Sequence, residues 1–568
     1  MNGSANRLWL NHYPSSIPKC IAYEKKPLHA FLKERAFQTP KLKALHFMGG
    51  EMNFQKLYDE AKKLAAYLQS LGIKKGDRVS IMLPNTPQAV ISYYATLIAG
   101  GIVVQTNPLY KERELEYQLQ DSESRLIICL DILLPIVSKA RQNTAVEHTI
   151  ITRIKDYLPY PQKLVYPFIQ KKQDHANPTL EQAEQVHLWS KVMLSNFKVK
   201  DVAIDPMEDL ALLQYTGGTT GFPKGVMLSH YNLVSNVVMC KAWIHKEKNK
   251  QDIVLGVLPF FHVYGMTTVM NYSLLTGSKM VLLPRFEVDA VLKTIKKQKV
   301  TVFPGAPTIY IGILNHPKLK KYDLSSIEVS ISGSAPLPTE VQVQFEKVTG
   351  GRLIEGYGLT ESSPVTHANF LEQNRIQGGI GVPWPDTDAK IISLETQEEA
   401  NIGEPGEIVI RGPQVMKGYW NKPEETEQAL KEGWLYTGDV GYMDDQGCFY
   451  VIDRKKDMII ASGYNIYPRE VEEVLYEHEG VQEVVVLGIP DPYRGETVKA
   501  FIVPKEDFLL EEHTLDNFCR KYLASYKVPR VYEIRKELPK TAVGKILRRK
   551  LVEEERKKDI QTTIKPYI

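Results

Sequence analysis

The chain has 568 residues, more than a single hydrophobic core organises, so at least two domains are expected. At 43% hydrophobic and 24% charged it has the composition of a soluble globular protein, and a net charge of +4 is too small to imply a nucleic-acid partner. Cys20, Cys129, Cys240, Cys448 and Cys519 are odd in number, far apart and without CxxC spacing, which argues against a disulfide framework or a zinc site and fits a reducing, cytoplasmic setting. Residues 1–18 lack the continuous apolar run of a secretory signal. The longest apolar stretch, 89–105, is interrupted by Ser92, Gly100 and Gly101 and falls short of a spanning helix.

In chain order, helical spacing of Leu57, Ala61, Leu64, Ala65 and Leu68 predicts a helix over 53–71. A Gly76-Asp77 turn and a buried strand over 78–83 follow, then a helix over 86–99 and another apolar run at 102–104. The same rhythm recurs at 126–130, 254–258, 280–283, 300–303 and 327–332, and it predicts parallel α/β layers. Residues 153–173, with three prolines, interleaved tyrosines and a basic excess, break it. They read as an irregular surface excursion or as an element that meets a membrane surface. A dense charged run at 453–457 reads as a solvated linker and sets the expected boundary between domains 1–452 and 453–568. Beyond it, helices over 470–479 and 515–524 and strands over 484–487 and 500–503 suffice for a compact second core.

The most informative segment is 215–225, YTGGTTGFPKG, after an apolar strand at 210–213. Glycines let backbone N–H groups approach oxyanions, and the hydroxyls and lysine add donors and charge, so this is a phosphate-cradling loop. It is not a Walker loop, because Gly225 follows Lys224 where a Mg²⁺-binding hydroxyl should stand.

That loop resembles the signature of the AMP-forming adenylating superfamily, which includes acyl-CoA synthetases, luciferases and peptide-synthetase adenylation domains. Further family motifs follow in order: PFFHVYG (259–265), SGSAPL (332–337), EGYGLTE (355–361), GWLYTGD (433–439), DRKKD (453–457) with SGYN (462–465), and LPKTAVGK (538–545). The resemblance covers roughly residues 30–550 and is strongest to bacterial long-chain fatty-acid–CoA ligases. It implies a large N-terminal domain of layered α/β sheets with a small β-barrel-like part, and a smaller, mobile α+β C-terminal domain. It also implies roles for individual residues. Thr216, Gly217, Gly218, Thr219, Thr220, Gly221 and Lys224 would hold ATP phosphates. Glu361, with Thr219, would hold Mg²⁺. Gly333, Ser334, Ala335 and Tyr357 would wrap adenine, Glu355, Gly356 and Gly358 would also belong to the nucleotide site, and Thr360 would reach the α-phosphate. Asp439 and Arg454 would bind ribose, and His262 would position the acid. Lys545 would bridge carboxylate and α-phosphate, Asp453 would be the hinge, and Ser462, Gly463 and Tyr464 would form the face where coenzyme A attacks.

The resemblance therefore implies ligation of a fatty acid to coenzyme A through an acyl-adenylate, with ATP and Mg²⁺, and suggests a homodimer and peripheral contact with the inner membrane face through 153–173. Trp243 is read either as an aromatic gate on the acyl tunnel or as a core tryptophan. A medium-chain or aryl-acid ligase of the 4-coumarate type, a ligase loading a carrier protein, and a degenerate acyl-binding regulator are the alternatives. Retention of Lys545 and Glu361 argues against the last.

Overall fold

A computed structural model describes residues 7–171, 185–216, 223–244, 250–371, 379–461, 464–491, 493–506, 508–541 and 546–564, with backbone only for 167–171, 464–465 and 559–564. The chain forms two compact units: one from Trp9–Asp388 and Ile410–Leu435, the other chiefly from Ala389–Val409 and Tyr436–Ile568.

The larger unit is built on two sheets. Among the described residues the first runs Gly418–Tyr419, Lys224–Ser229, Leu210–Thr216, Ile102–Gln105, Arg78–Met82, Leu126–Leu130, His148–Thr152, Val186–Leu188. The second runs Val382–Pro383, Val365–Ala368, Arg352–Gly358, Val329–Ser332, Val302–Gly305, Ile253–Gly256, Lys279–Leu282, Lys43–Phe47, Gly50–Asn53. Their central strands are parallel and buried on both faces, which explains why they read as unbroken apolar runs rather than alternating ones. Predicted helices start where side chains can cap them. Asn53 accepts from the Lys56 N–H at 2.8 Å ahead of Phe54–Ser70, and Thr86, with Pro87 next, accepts from the Ala89 N–H at 3.3 Å ahead of Pro87–Ile98.

Two expectations need correcting. Residues 153–173 are not simply irregular: a 3-10 turn, Ile154–Tyr157, leads to the helix Gln162–Lys171. Pro161 stands just before that helix, where its missing N–H costs nothing, and the Tyr157 hydroxyl, donating to Glu60 and accepting from Trp189 Nε1, ties the turn down. Nor is the start of the charged run a solvated linker. Asp453 and Arg454 end the strand Phe449–Arg454, and Asp453 is buried.

The smaller unit is α+β. Val481–Asp491 and Gly495–Pro504 form a long antiparallel pair, joined in parallel by Val531–Ile534. Alternate side chains feed two cores: Val484 and Val486 pack with Val471, Leu475 and Leu515, while Val485 and Leu487 pack with Phe501, Leu538 and Leu551. The strands extend well past the expected 484–487 and 500–503 because their polar ends, joined by a short hairpin, carry no apolar signal. The α/β expectation, with a large N-terminal and a smaller C-terminal part, is thus met.

Candidate active site

In the larger unit the phosphate-loop candidate is held at its base. Thr216 and Lys224 face each other across the last rung of the antiparallel pair formed by Leu210–Thr216 and Lys224–Ser229, so one rung fixes both ends of the intervening turn. Gly217, Gly218, Thr219, Thr220 and Gly221 lie outside the described residues. Below the rung, Tyr215 is buried and donates to Asp121 Oδ2 at 2.6 Å; burial, then the Asp121 charge, push its hydroxyl far above the ordinary tyrosine range. A side chain at 225 would sit 3.2 Å from the Tyr215 ring and 3.3 Å from Trp420 Cβ, so glycine suits this close approach.

Among the described residues Lys224 has no carboxylate partner. Its ammonium lies 5.1 Å from the centroid of the Tyr419 ring, a cation–π contact. Tyr419 in turn donates from its hydroxyl to Glu361 Oε1 at 2.8 Å, and burial followed by that carboxylate's charge push the phenol well above its usual range. Tyr419 is placed by the edge strand Gly418–Tyr419, which pairs with Lys224–Ser229 in the register Tyr419↔Val226. Glu361 sits in the 3-10 turn Thr360–Ser362, and its carbonyl accepts from the Met416 N–H at 2.8 Å. Three chain segments therefore bring Lys224, Tyr419 and Glu361 together. Sequence reading identified two of them and missed Tyr419, although an aromatic Gly-Tyr-Trp triplet in a polar stretch was an available signal.

The segments expected around adenine lie at the carboxyl ends of two adjacent parallel strands, 333–335 just past Val329–Ser332 and 355–358 closing Arg352–Gly358, where open α/β sheets place ligands. Ser332 pairs with Glu355, which sets Gly333, Ser334 and Ala335 beside Gly356, Tyr357 and Gly358. Ser334 is left-handed at φ +73°, a conformation a non-glycine residue holds only when its neighbours impose it. A side chain at 358 would lie 2.0 Å from the Pro364 carbonyl oxygen, so only glycine fits. Tyr264 braces this corner: its hydroxyl donates to Ile331 O at 2.7 Å, and a side chain at 333 would meet its ring at 3.0 Å. His262, two residues earlier and half-buried, caps the short helix Val263–Gly265 and accepts from the Tyr264 N–H at Nδ1, 3.3 Å away. Gln214 donates to Phe261 O at 2.9 Å, linking this segment to the phosphate-loop strand. Trp243 belongs to the core. Its Nε1 donates to Asn369 O at 3.0 Å, and its ring stacks on Phe370 and Trp384 at 5.2 and 5.6 Å.

In the smaller unit, Asp439 and Arg454 are register partners and form an ion pair at 3.1 Å. The Thr437-Gly438 turn positions them: Thr437 Oγ1 donates to Ile408 O and accepts from the Asp439 N–H, and Gly438, at φ +71°, donates to Glu407. Asp453 accepts from the N–H groups of Arg454 and Arg469, both at 2.7 Å. Burial raises its pKa against these donors and the Arg548 charge. Its carboxylate thus anchors the first turn of the helix Pro468–Tyr476, whose dipole favours an anion there. Ser462, Gly463 and Lys545 lie outside the described residues, as does the side chain of Tyr464.

Each unit matches a known family in its own part of the chain. Residues 32–420 match the AMP-binding enzyme family, and 470–545 match its C-terminal domain. The chain belongs to the AMP-binding enzymes. Within that family it is 56% identical, over 96% of this chain and 98% of the relative, to a long-chain-fatty-acid–CoA ligase of Bacillus subtilis (strain 168). It is 39% identical to the enzyme of the same name from Escherichia coli O157:H7, over 97% and 99% of the two chains. Among solved AMP-binding enzymes, ATP-bound MatB from Rhodopseudomonas palustris superposes with a TM-score of 0.81 at 28% identity, covering 93% of this chain and 98% of that one.

As a magnesium ligand Glu361 suits the ion: it is a hard oxygen donor with one oxygen already oriented by Tyr419. Among the described residues no three His, Cys, Asp or Glu side chains cluster, so no cage of protein ligands surrounds Glu361 there. That is the usual mode for a magnesium ion that travels with nucleotide phosphates. Among the described residues no helix is long and apolar enough to cross a membrane.

Proposed function

We propose that this AMP-binding enzyme ligates a long-chain fatty acid to coenzyme A, consuming ATP and releasing AMP and diphosphate through an acyl-adenylate. The observation that carries this reading is the Lys224–Tyr419–Glu361 assembly at the base of the phosphate loop, in a chain 56% identical to a long-chain-fatty-acid–CoA ligase. A carboxylate approaching the α-phosphate brings anion to polyanion, so cationic charge must be in place as the transition state forms. Lys224 supplies one such charge, held over an aromatic face instead of being neutralised by an acid. Glu361, with Thr219, would hold Mg²⁺, which when bound lends further positive charge to the phosphates. Thr216, Gly217, Gly218, Thr220 and Gly221 cradle phosphate oxygens, Thr360 reaches the α-phosphate, and Gly333 to Ala335 with Glu355 to Gly358 surround the base. Asp439, paired with Arg454, accepts from the ribose hydroxyls. His262 positions the fatty acid; a carboxylate needs no general base to attack.

Lys545 serves the first half-reaction by bridging carboxylate and α-phosphate. The smaller domain then turns about Asp453 and presents Ser462, Gly463 and Tyr464 to the coenzyme A thiol. The absence of a side chain at 463 leaves a passage for pantetheine. Residues 153–173 bring the enzyme to a membrane surface, and two copies form a homodimer. The test is fatty-acid-dependent ATP–diphosphate exchange without coenzyme A, followed by product analysis with it. No exchange with any acid refutes the ligase; exchange without acyl-CoA points to a carrier-protein acceptor. A chain-length series run against coumarate decides the acid.

A further inference from the structure

The larger unit contains a cavity of about 560 Å³ that the catalytic reading does not use. Its walls are β-strand Lys43–Phe47 with the turn after it, the segment 158–166, and the helix Val288–Gln298. In the second sheet, four inter-strand steps separate Lys43–Phe47 from Val329–Ser332, which places the cavity roughly 19 Å from the Gly333 corner at the usual strand spacing. It is within the roughly 300–1,000 Å³ range of small-molecule sites.

Its lining has two characters. Met48, Leu158, Pro161, Val165 and Tyr166 make it largely apolar. Around it the surface stays apolar where water should have selected polar residues: Tyr160 is 76% exposed, Leu164 56%, Val165 50% and Met48 41%. On the opposite wall stand Lys293 and Lys297, four residues apart and so on one face of their helix. Both are exposed, and among the described residues neither pairs with a carboxylate. Two adjacent ammonium groups repel each other; Asp289, one turn earlier on the same face, is engaged by His316 at 3.4 Å and the Tyr322 hydroxyl at 3.3 Å, so an anion bound between the lysines would offset the repulsion. His46, at the same wall, is held below the ordinary histidine pKa by burial and by Lys279 and Lys297, so it leaves this charge to the lysines.

An apolar cleft with one uncompensated cationic rim matches a single amphiphile with an anionic head. We propose that this cavity is a second binding site for a monomeric long-chain carboxylate, its head between Lys293 and Lys297 and its chain along Met48, Leu158 and Val165. A concave cavity suits one acyl chain better than a bilayer plane, which favours a free acid over a lipid surface. The site loads acid from solution or from a membrane onto the larger unit without engaging nucleotide.

The experiment uses the full chain without ATP or coenzyme A, so it remains interpretable if the ligase reading fails. A diazirine-bearing palmitate, kept below its critical micelle concentration, is photolysed on the protein and the labelled peptides are mapped. Labelling is expected within 46–49 and 158–166, competed by palmitate and at least tenfold less well by hexadecanol. Competing affinity should rise about fourfold per added methylene until the cavity is full. The surface variant Lys293→Glu/Lys297→Glu should lose at least nine-tenths of this labelling with an unchanged Tm. Absence of label from these peptides, equal competition by hexadecanol, or full labelling of the double variant overturns the proposal. If the double variant instead loses only co-sedimentation with phosphatidylglycerol vesicles and keeps the palmitate label, the lysines serve a membrane surface and the acid site is refuted.

Discussion

The two units treat charge in opposite ways. In the larger one Lys224 rests on the face of Tyr419 and Glu361 receives only a phenol proton, so neither charge is consumed by an opposite one among the described residues. In the smaller one, apart from Asp439 and Arg454, whose pairing orients the carboxylate assigned to ribose, buried charges among the described residues are matched by opposite ones: Glu472 by Arg548, and Lys499 by Glu533 and Glu555. A charge kept by an aromatic ring stays available to a ligand, whereas a charge kept by an ion pair holds the fold. The larger unit therefore reads as the binding surface and the smaller one as a rigid carrier.

The comparison breaks most sharply at Lys545. Replacing it with alanine should cut adenylation about a hundred- to a thousandfold, as removal of a donor at a developing charge does, while sparing thioester formation from preformed acyl-AMP. Equal loss in both half-reactions would show that the carrier is not specialised for one of them. Next in size is the buried pair of the carrier. Glu472 takes two hydrogen bonds from Arg548, at 2.7 and 2.8 Å, so Arg548→Met should destabilise the smaller unit by about 3–5 kcal/mol. Calorimetry should show this in one transition only.

Acid should separate the units too. Burial holds His29 to about 4 and His230 and His367 to about 3 in the larger unit, all below the unfolded value of about 6.5. A depressed histidine contributes stability fully above pH 6.5 and loses it as pH falls toward 3–4. In the smaller unit, partial burial of Glu533 is outweighed by hydrogen bonds from Lys499, Lys558 and Arg535, which hold it at about 2. Its contribution is present above the unfolded value of about 4.3 and is lost only as pH falls toward 2. The larger unit should thus weaken first, between pH 6.5 and 4.5, in domain-resolved hydrogen exchange; simultaneous loss would contradict the contrast. The smallest effect is expected at Tyr419→Phe. It keeps the ring over Lys224 and removes one hydrogen bond to a charged acid, about 1.5–3 kcal/mol at most. The Mg²⁺ requirement should rise more than kcat falls, and Tyr419→Leu should impair both.

Much of this was legible in the sequence, for definite reasons. The parallel strands announced themselves as apolar runs because both their faces are buried. The Gly-Tyr-Trp triplet marks Tyr419 as unusual, but nothing local says that an edge-strand tyrosine reaches a glutamate 58 positions earlier. Asp453 misled for the same reason. Its neighbours Lys455, Lys456 and Asp457 look solvated, yet its own carboxylate is fixed by the Arg469 N–H of a helix still to come. Helix formation in 153–173 was hidden by prolines, only one of which falls inside the helical span.

The rung between Thr216 and Lys224 has one more consequence. Tyr215↔Gly225 and Gln214↔Val226 continue the same pairing beneath it, so the register is set by the sheet and not by the turn. A one-residue slip would send every side chain of the strand to the wrong face, and the buried Leu213 and Val226 forbid it. The sheet beneath thus holds Thr216 and Lys224 opposite each other, and the Lys224 stem starts from the first residue of a strand whose alignment is already fixed.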